Sequence, residues 1–453
     1  MSQVFVLNSA YGLMTAVAAI DSGRIAAAPS GRILVAVNAA IIPEAAESIA
    51  DAPHLASLRD RFDRVVSLND LVAPERPAHW RPRPSDAPVI ERLLRQAWDL
   101  GAGPVDLFLQ SPQVAPSRVF VDLFPGSSLT VVGDGLMTYS PIRNRWPRKV
   151  LDRVVGVTYA DTVAGVSPLL FSESGAPRIP VGVEALRAVV AEVAESTRDP
   201  RIDALAAMER PALVLGQYLA ALGLVSAAEE QAMQEQMIDR ALEWSPSAVV
   251  FKPHPSAEPA MIEGLRRHAR SRGVDFTVYP GAAPAEVLAT RMPLVGSVAG
   301  FSTALPTLQA LGGSPIAAVG TEILLGRLTP YENGNRIPVT IIDALTRRDS
   351  PYAEPGAMQQ LVDAVGYAMQ PRIVEHLRPR AEEFLAAAPG AERARYFSAA
   401  RVGSLALPGG TPPRLAERLL APVGGAGRLA EAQLAIRGAR RRTTRAWKAL
   451  RGG

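Results

Sequence analysis

The sequence predicts an α/β protein of two Rossmann-like domains facing each other across a cleft, followed by a basic helical tail. Three observations predict it. Short β-rich apolar runs alternate with amphipathic helical stretches, the signature of parallel sheets covered by helices on both faces. The alternation breaks once, at Glu195-Ser-Thr-Arg-Asp-Pro200, and then restarts. After Leu405 the composition changes, first to Pro and Gly and then to Arg and Lys.

In the first half, the runs Val4–Leu7, Ile33–Val37, Arg64–Leu68, Val105–Leu109, Val119–Asp122 and Leu129–Val132 are predicted strands. Leu13–Asp21 and Val89–Leu100 have helical patterns. Beyond the break come strand Ala212–Leu215, helix Ala227–Glu243, strand Ala248–Phe251, helix Pro259–Arg272 and strand Asp275–Val278. Helix Pro284–Ala289, strand Pro293–Gly296, helix Thr303–Leu311 and strand Pro315–Val319 follow. This sets expected domains at 1–200 and 201–404, with a connector and tail at 405–453. Ligands of such sheets sit beyond the carboxyl ends of the strands.

At 453 residues the chain exceeds one ordinary hydrophobic core, which agrees with two domains. It has no cysteine, so disulfides, thiolate metal sites and cysteine nucleophiles are excluded. The opening MSQVFVLNSAYGLMTAVAAI lacks a cationic leader region. The longest apolar run, Ile33–Ile42, contains Asn38 and is about half the ~20 residues of a membrane span. The expected location is cytoplasmic.

Net charge is +4, yet eight Lys or Arg against one Glu lie between Arg428 and Gly453, so the rest of the chain is slightly acidic. A nucleic-acid binder would more often spread basic charge over its folded domains, and no nucleic-acid partner is expected. The tail can form a helix over Leu429–Leu450 that combines Trp447 and aliphatic residues with Arg440, Arg441, Arg442, Arg445 and Lys448. That combination suits an anionic membrane surface, although an acidic protein surface would also accept it.

Three segments could carry chemistry. In Val131-Val-Gly-Asp-Gly135 a strand runs into a glycine-flanked turn that places Asp134 at the carboxyl edge of the first sheet, where a general base belongs. Aspartate in a turn after a strand is also a common structural feature. In Ala248-Val-Val-Phe-Lys-Pro-His-Pro-Ser256 a second strand delivers Lys252 and His254, at i and i+2, into a loop stiffened by Pro253 and Pro255. A cation and an imidazole there suit an anionic leaving group. In Gly296-Ser-Val-Ala-Gly-Phe-Ser-Thr-Ala304 a strand is predicted to end at Gly296, with a helix starting near Ser302 or Thr303. Hydroxyls and N–H groups at a helix start can hold phosphate, and Ser297 joins Ser302 and Thr303 as a candidate.

In this order the three segments resemble the bacterial sialyltransferases, with their acidic-acidic-Gly, His-Pro and Ser-Ser/Thr motifs. The closer resemblance is to the bacterial polysialyltransferase family and its actinobacterial relatives. Val214-Leu-Gly-Gln-Tyr218, Thr329-Pro-Tyr-Glu-Asn-Gly-Asn-Arg-Ile-Pro338 and Ile341-Ile-Asp-Ala344 support it, and it spans roughly residues 3–400.

The resemblance implies the GT-B arrangement of two Rossmann domains and inverting chemistry with no cofactor and no metal. Asp-x-Asp occurs nowhere in the chain. It implies Asp134 as general base, with His254 assisting departure of the CMP phosphate. It implies Ser302 and Thr303 as the hydroxyl pair that holds that phosphate; Lys252, Pro255 and Ser297 are further candidates for the CMP site. The implied donor is a CMP-activated nonulosonic acid such as sialic acid, and the acceptor a glycan or lipid-linked glycan. Gly133 departs from the pattern, standing where the motif has its first acidic residue. Arg327 and Arg336 are candidate contacts for the donor carboxylate, although a surface or structural role is the commoner one for such an arginine. A CMP-Kdo or UDP-sugar transferase would use a similar cleft, and a glycan-binding assembly protein is the non-enzymatic alternative.

Overall fold

A computed structural model of the chain describes residues 1–39, 47–254 and 259–410. The first sheet has seven strands: β1 (Ser2–Leu7), β2 (Arg32–Ala36), β3 (Arg64–Ser67), β4 (Val105–Gln110), β5 (Ser128–Val132), β6 (Val154–Ala160) and β7 (Arg178–Val181). They lie in the order β3-β2-β1-β4-β5-β6-β7, every pair parallel. The second sheet comprises β8 (Pro211–Leu215), β9 (Ala248–Lys252), β10 (Asp275–Val278), β11 (Gly296–Ala299) and β12 (Ile316–Ala318). Its order is β10-β9-β8-β11-β12, also all parallel. The two parallel α/β units anticipated from the alternation are therefore present.

Each sheet reverses its winding once, between β1 and β4 in the first and between β8 and β11 in the second. Crevices for ligands open at such points, beyond the carboxyl ends of the strands. Strands buried on both faces read as unbroken apolar runs, and β1 is buried throughout. Its Phe5 stacks on Phe108 of β4 with ring centroids 4.2 Å apart.

The second sheet uses its two faces differently. Ala212, Val214, Val249, Phe251 and Val298 pack in a small core under helices Ala227–Leu242 and Pro259–Ser271. Leu213, Leu215, Val250 and Ala299, on the other face, join the large core that extends into the first domain. Helix Val183–Ser196 bridges the units, packing on helix Ala10–Asp21 and on helices Ala285–Arg291 and Ala304–Gly312. Among the described residues no helix is long and apolar enough to cross a membrane. The tail segment Leu429–Leu450 lies outside them.

The structure corrects two predicted strands. Val119–Asp122 lies in helix Ser117–Leu123. Its β-branched residues suggested a strand, but β4 and β5 are parallel neighbours, and only a crossover can join such strands. Pro293–Gly296 is displaced, because strand β11 begins at Gly296. Gly296 serves close packing rather than a turn: a Cβ there would come within 2.3 Å of the Trp244 ring. Strands β6 and β7 were not read from the sequence. Gly156 interrupts the first, and makes room for Ile179 of the second.

Candidate active site

The turn after β5 delivers Asp134 to the carboxyl edge of the first sheet. Gly135 takes φ +50°, which a side chain would disfavour, and turns the chain into a short helical segment, Gly135–Tyr139. The Asp134 N–H donates to Thr138 Oγ1 at 2.8 Å. Both carboxylate oxygens accept: Oδ1 from Gln110 Nε2 at 3.1 Å, Oδ2 from Ser111 Oγ at 3.2 Å. The carboxylate borders a pocket of about 250 Å³ lined also by Gln113, Arg143, Leu170 and Gly334. That is below the ~300–1,000 Å³ of a complete ligand site and has the size of one subsite.

Across the cleft, three loops leave the second sheet side by side. Neighbouring strands are ~4.8 Å apart, so β9 and β11, flanking β8, end about 10 Å from each other. Gly216-Gln-Tyr218, after β8, fills the space between them. A Cβ on Gly216 would lie 3.1 Å from both His254 N and Pro253 Cα, so only glycine lets the loops approach this closely. Tyr218 stacks flat on His254, ring centroids 5.0 Å apart and planes 2° from parallel. On the other side the Phe301 N–H donates to Gln217 Oε1 at 3.3 Å. Glu230, buried in helix Ala227–Leu242, accepts from the Leu219 and Ala220 N–H groups and so holds the loop that carries Tyr218.

Partial desolvation, under the stacked Tyr218 ring, holds the His254 imidazole below its ordinary pKa; Glu230 opposes this and Lys252 reinforces it. Lys252 itself extends toward the Gly281 carbonyl, 3.4 Å away, and lies 5.8 Å from the Tyr279 ring centroid. Burial lowers its pKa too, against the pull of buried Glu286. Lys252 and His254 thus have different surroundings despite their i, i+2 spacing.

Helix Ala304–Gly312 starts where a third loop meets the first domain. The Ser302 hydroxyl accepts from the Ala304 N–H at 3.3 Å. Thr303 occupies the cap position without a side-chain capping bond. Its hydroxyl faces the Asp134 turn so closely that a Cβ on Gly135 would lie 3.3 Å from Thr303 Oγ1. One turn further, Thr307 Oγ1 is 3.4 Å from Tyr11 OH of the first domain. Burial pushes the Tyr11 phenol up to about 12, so it keeps its proton at neutral pH.

The Asp134–Gly135 turn and Thr303 therefore meet at the cleft; Ser302 precedes Thr303 in the chain, and His254 is one loop away. Ser297 does not belong to this group. It is fully buried inside β11, paired between Leu213 and Ile316, rather than in the loop beyond the strand's carboxyl end at Ala299. The displaced strand boundary accounts for that correction. Pro255 lies outside the described residues.

Arg327 is held by a two-point ion pair with Glu229. Arg336 is buried and donates to the carbonyls of Tyr331, Leu325 and Leu328. Both arginines are committed to the protein. Gln110, Gln217, Tyr218 and Glu230 were missed as site residues. Only the Val214–Tyr218 stretch hinted at two of them.

The family described as alpha-2,8-polysialyltransferase (POLYST) matches the chain over residues 3–318. No curated protein is matched by it. Among solved structures, similarity extends to the UDP-GlcNAc 2-epimerase from Neisseria meningitidis, bound to UDP-GlcNAc, at 12% identity and TM-score 0.40. The match covers 84% of this chain and 100% of that one. A UDP-GlcNAc 2-epimerase from Methanocaldococcus jannaschii is 10% identical at TM-score 0.41, covering 81% and 100%. A UDP-glucosyltransferase from Polygonum tinctorium is 13% identical at TM-score 0.38, covering 84% and 98%. Likenesses this distant say nothing about which sugar this chain handles.

Proposed function

This chain belongs to the alpha-2,8-polysialyltransferase family, and from that premise we propose that it transfers sialic acid or a related nonulosonic acid from a CMP-activated donor to a glycan hydroxyl, with inversion and without a metal. It is a glycosyltransferase by family; the donor, the stereochemistry and the residue roles are our reading. The observation that carries the reading is the approach of the Asp134–Gly135 turn to Thr303 across the cleft. It brings the turn that carries the carboxylate up to a helix start, which supports a displacement between them.

In the proposed step Asp134 takes the acceptor hydroxyl proton as that oxygen forms its bond to the anomeric carbon. The bond from that carbon to the phosphate oxygen breaks, and CMP leaves with the electron pair. Ser302, Thr303 and the N-terminal end of helix Ala304–Gly312 receive the phosphate charge. His254 donates a hydrogen bond to it, with the depressed pKa favouring the neutral imidazole. The glycan acceptor enters on the Asp134 side, where the small pocket lies. The basic tail holds the enzyme at an anionic membrane surface near a lipid-linked acceptor.

A donor panel tests this: CMP-sialic acid, CMP-Kdo and UDP-sugars, each with a sialylated glycan acceptor and with excess chelator, assayed for free nucleotide. CMP release from the nonulosonic donor, unaffected by chelator, is expected. Release of UDP in preference, or acceptor binding with no nucleotide release from any donor, would overturn the reading.

A further inference from the structure

We propose that Gln110 is the positioning residue that orients Asp134, a role resting on the base assignment above. Gln110 ends β4, fully buried at the point where the first sheet reverses its winding. Its Oε1 accepts the backbone N–H of Asn8 at 2.9 Å. A backbone N–H can only donate, so this bond decides which way the amide faces, and Nε2 must point to the opposite side. Nε2 has two hydrogens and meets two acceptors, Ser9 Oγ at 2.7 Å and Asp134 Oδ1 at 3.1 Å. Ser9 Oγ is anchored in turn, because it accepts from the Gly12 N–H and caps helix Ala10–Asp21.

The space for this arrangement comes from Gly12, where a Cβ would fall 2.3 Å from Gln110 Oε1. Ser111 then holds the second carboxylate oxygen. With a donor on each oxygen the carboxyl plane cannot turn freely, and each oxygen keeps a lone-pair direction for substrate. A residue serving only to join β1 to β4 would need the Asn8 bond alone. The second hydrogen, aimed at the carboxylate, is what assigns Gln110 to Asp134.

A double-mutant cycle separates the two roles, with kcat and donor KM measured by CMP release for Gln110→Glu, Asp134→Asn and the pair. Gln110→Glu keeps an acceptor for Asn8 but sets an oxygen against the carboxylate. It should lower kcat about 10- to 100-fold, the scale of a misplaced catalytic group, with donor KM within about twofold. Asp134→Asn should cost the ~10² to 10⁴ of a general base. In that background Gln110→Glu should cost less than about threefold more, because the introduced amide can donate to the introduced carboxylate.

Losses that multiply would overturn the proposal, as would parental kcat in Gln110→Glu beside a slow Asp134→Asn. Near-parental turnover in Asp134→Asn would instead overturn the base assignment, and with it any role of Gln110 through Asp134. Gln110→Met, similar in volume and uncharged, takes the place of Gln110→Glu in the cycle if the latter does not fold.

Discussion

Gly133→Ala perturbs the position at which this chain departs from the motif it otherwise resembles, and the packing explains the departure. A Cβ at 133 would lie 2.9 Å from Thr138 Oγ1, 2.9 Å from Tyr159 Cβ and 3.2 Å from the Thr158 carbonyl oxygen. Two of these neighbours are backbone or rigidly attached to it, and cannot swing away. The third is the hydroxyl that accepts the Asp134 N–H. Overpacking of this kind costs about 1–3 kcal/mol, and displacing Thr138 from that N–H adds about 1 kcal/mol. A total of about 2–4 kcal/mol lowers the folding equilibrium roughly 30- to 1,000-fold. Urea unfolding followed by circular dichroism should show an earlier midpoint. CMP release by the folded enzyme should also slow, because the anchor of the Asp134 turn has moved. An alanine variant with the parent's midpoint and turnover would refute the reasoning, since the strand edge would then have had room for a side chain.

Three further outcomes follow from the same geometry. Lys252→Met should raise the His254 pKa, read by NMR titration of the ring protons, since Lys252 is one of the influences lowering it; an unchanged or lower value would contradict the placement. Asp343→Asn should destabilise the fold by about 3 kcal/mol, the low end for breaking a buried pair, because Arg395 keeps a fifth of its side chain in solvent. Burial raises the Asp343 pKa, but hydrogen bonds from Arg395, Thr321 and Tyr396 outweigh it and leave the pKa lowered. The stabilisation is therefore present above the unfolded carboxyl pKa of about 3.9 and lost as pH falls through the folded one, so parent and variant should converge in urea midpoint in acid. A chain ending near Pro408 should fail to co-sediment with anionic vesicles that retain the full chain; equal retention would remove the tail as the anchor.

Asp134 and His254 were legible as candidates because parallel sheets place chemistry where strands become turns, and glycine or proline marks those turns. The same rule failed at Gly296, where the glycine answers the Trp244 ring, about fifty residues away in sequence. Ser297 was drawn into the candidate site by that one boundary, although two neighbouring strands bury it. The run at Val119–Asp122 misled through its β-branched residues, whose strand preference yields to the crossover that parallel pairing demands. The glutamines were hidden for another reason. Gln110 reaches Asn8 and Ser9 across separations of 102 and 101 residues, and nothing local to β4 announces them.

Gln110 and Gln217 solve the same problem in the two sheets. Each is buried beside its sheet's point of reversal, where a ligand crevice requires the two adjoining loops to diverge. Gln110 accepts from Asn8 after β1, and Gln217 accepts from Phe301 after β11. Each also lies against a glycine: Gly12 touches the first, and a Cβ on Gly300 would sit 3.3 Å from Gln217 Cγ. The loops are thus fixed by side chains while their outer surfaces stay available to substrate. Helix Ala304–Gly312 carries this order across the cleft. Its start faces Gly135, and its final turn is held by Arg187, which donates to the Leu311 and Ala310 carbonyls at 3.0 Å each. A cation on the last carbonyls also complements the helix dipole whose positive end faces the proposed phosphate. The segment proposed to receive the leaving group therefore touches residues 1–200 at both ends, Tyr11 beside Thr307 in its first turn and Arg187 on its last carbonyls.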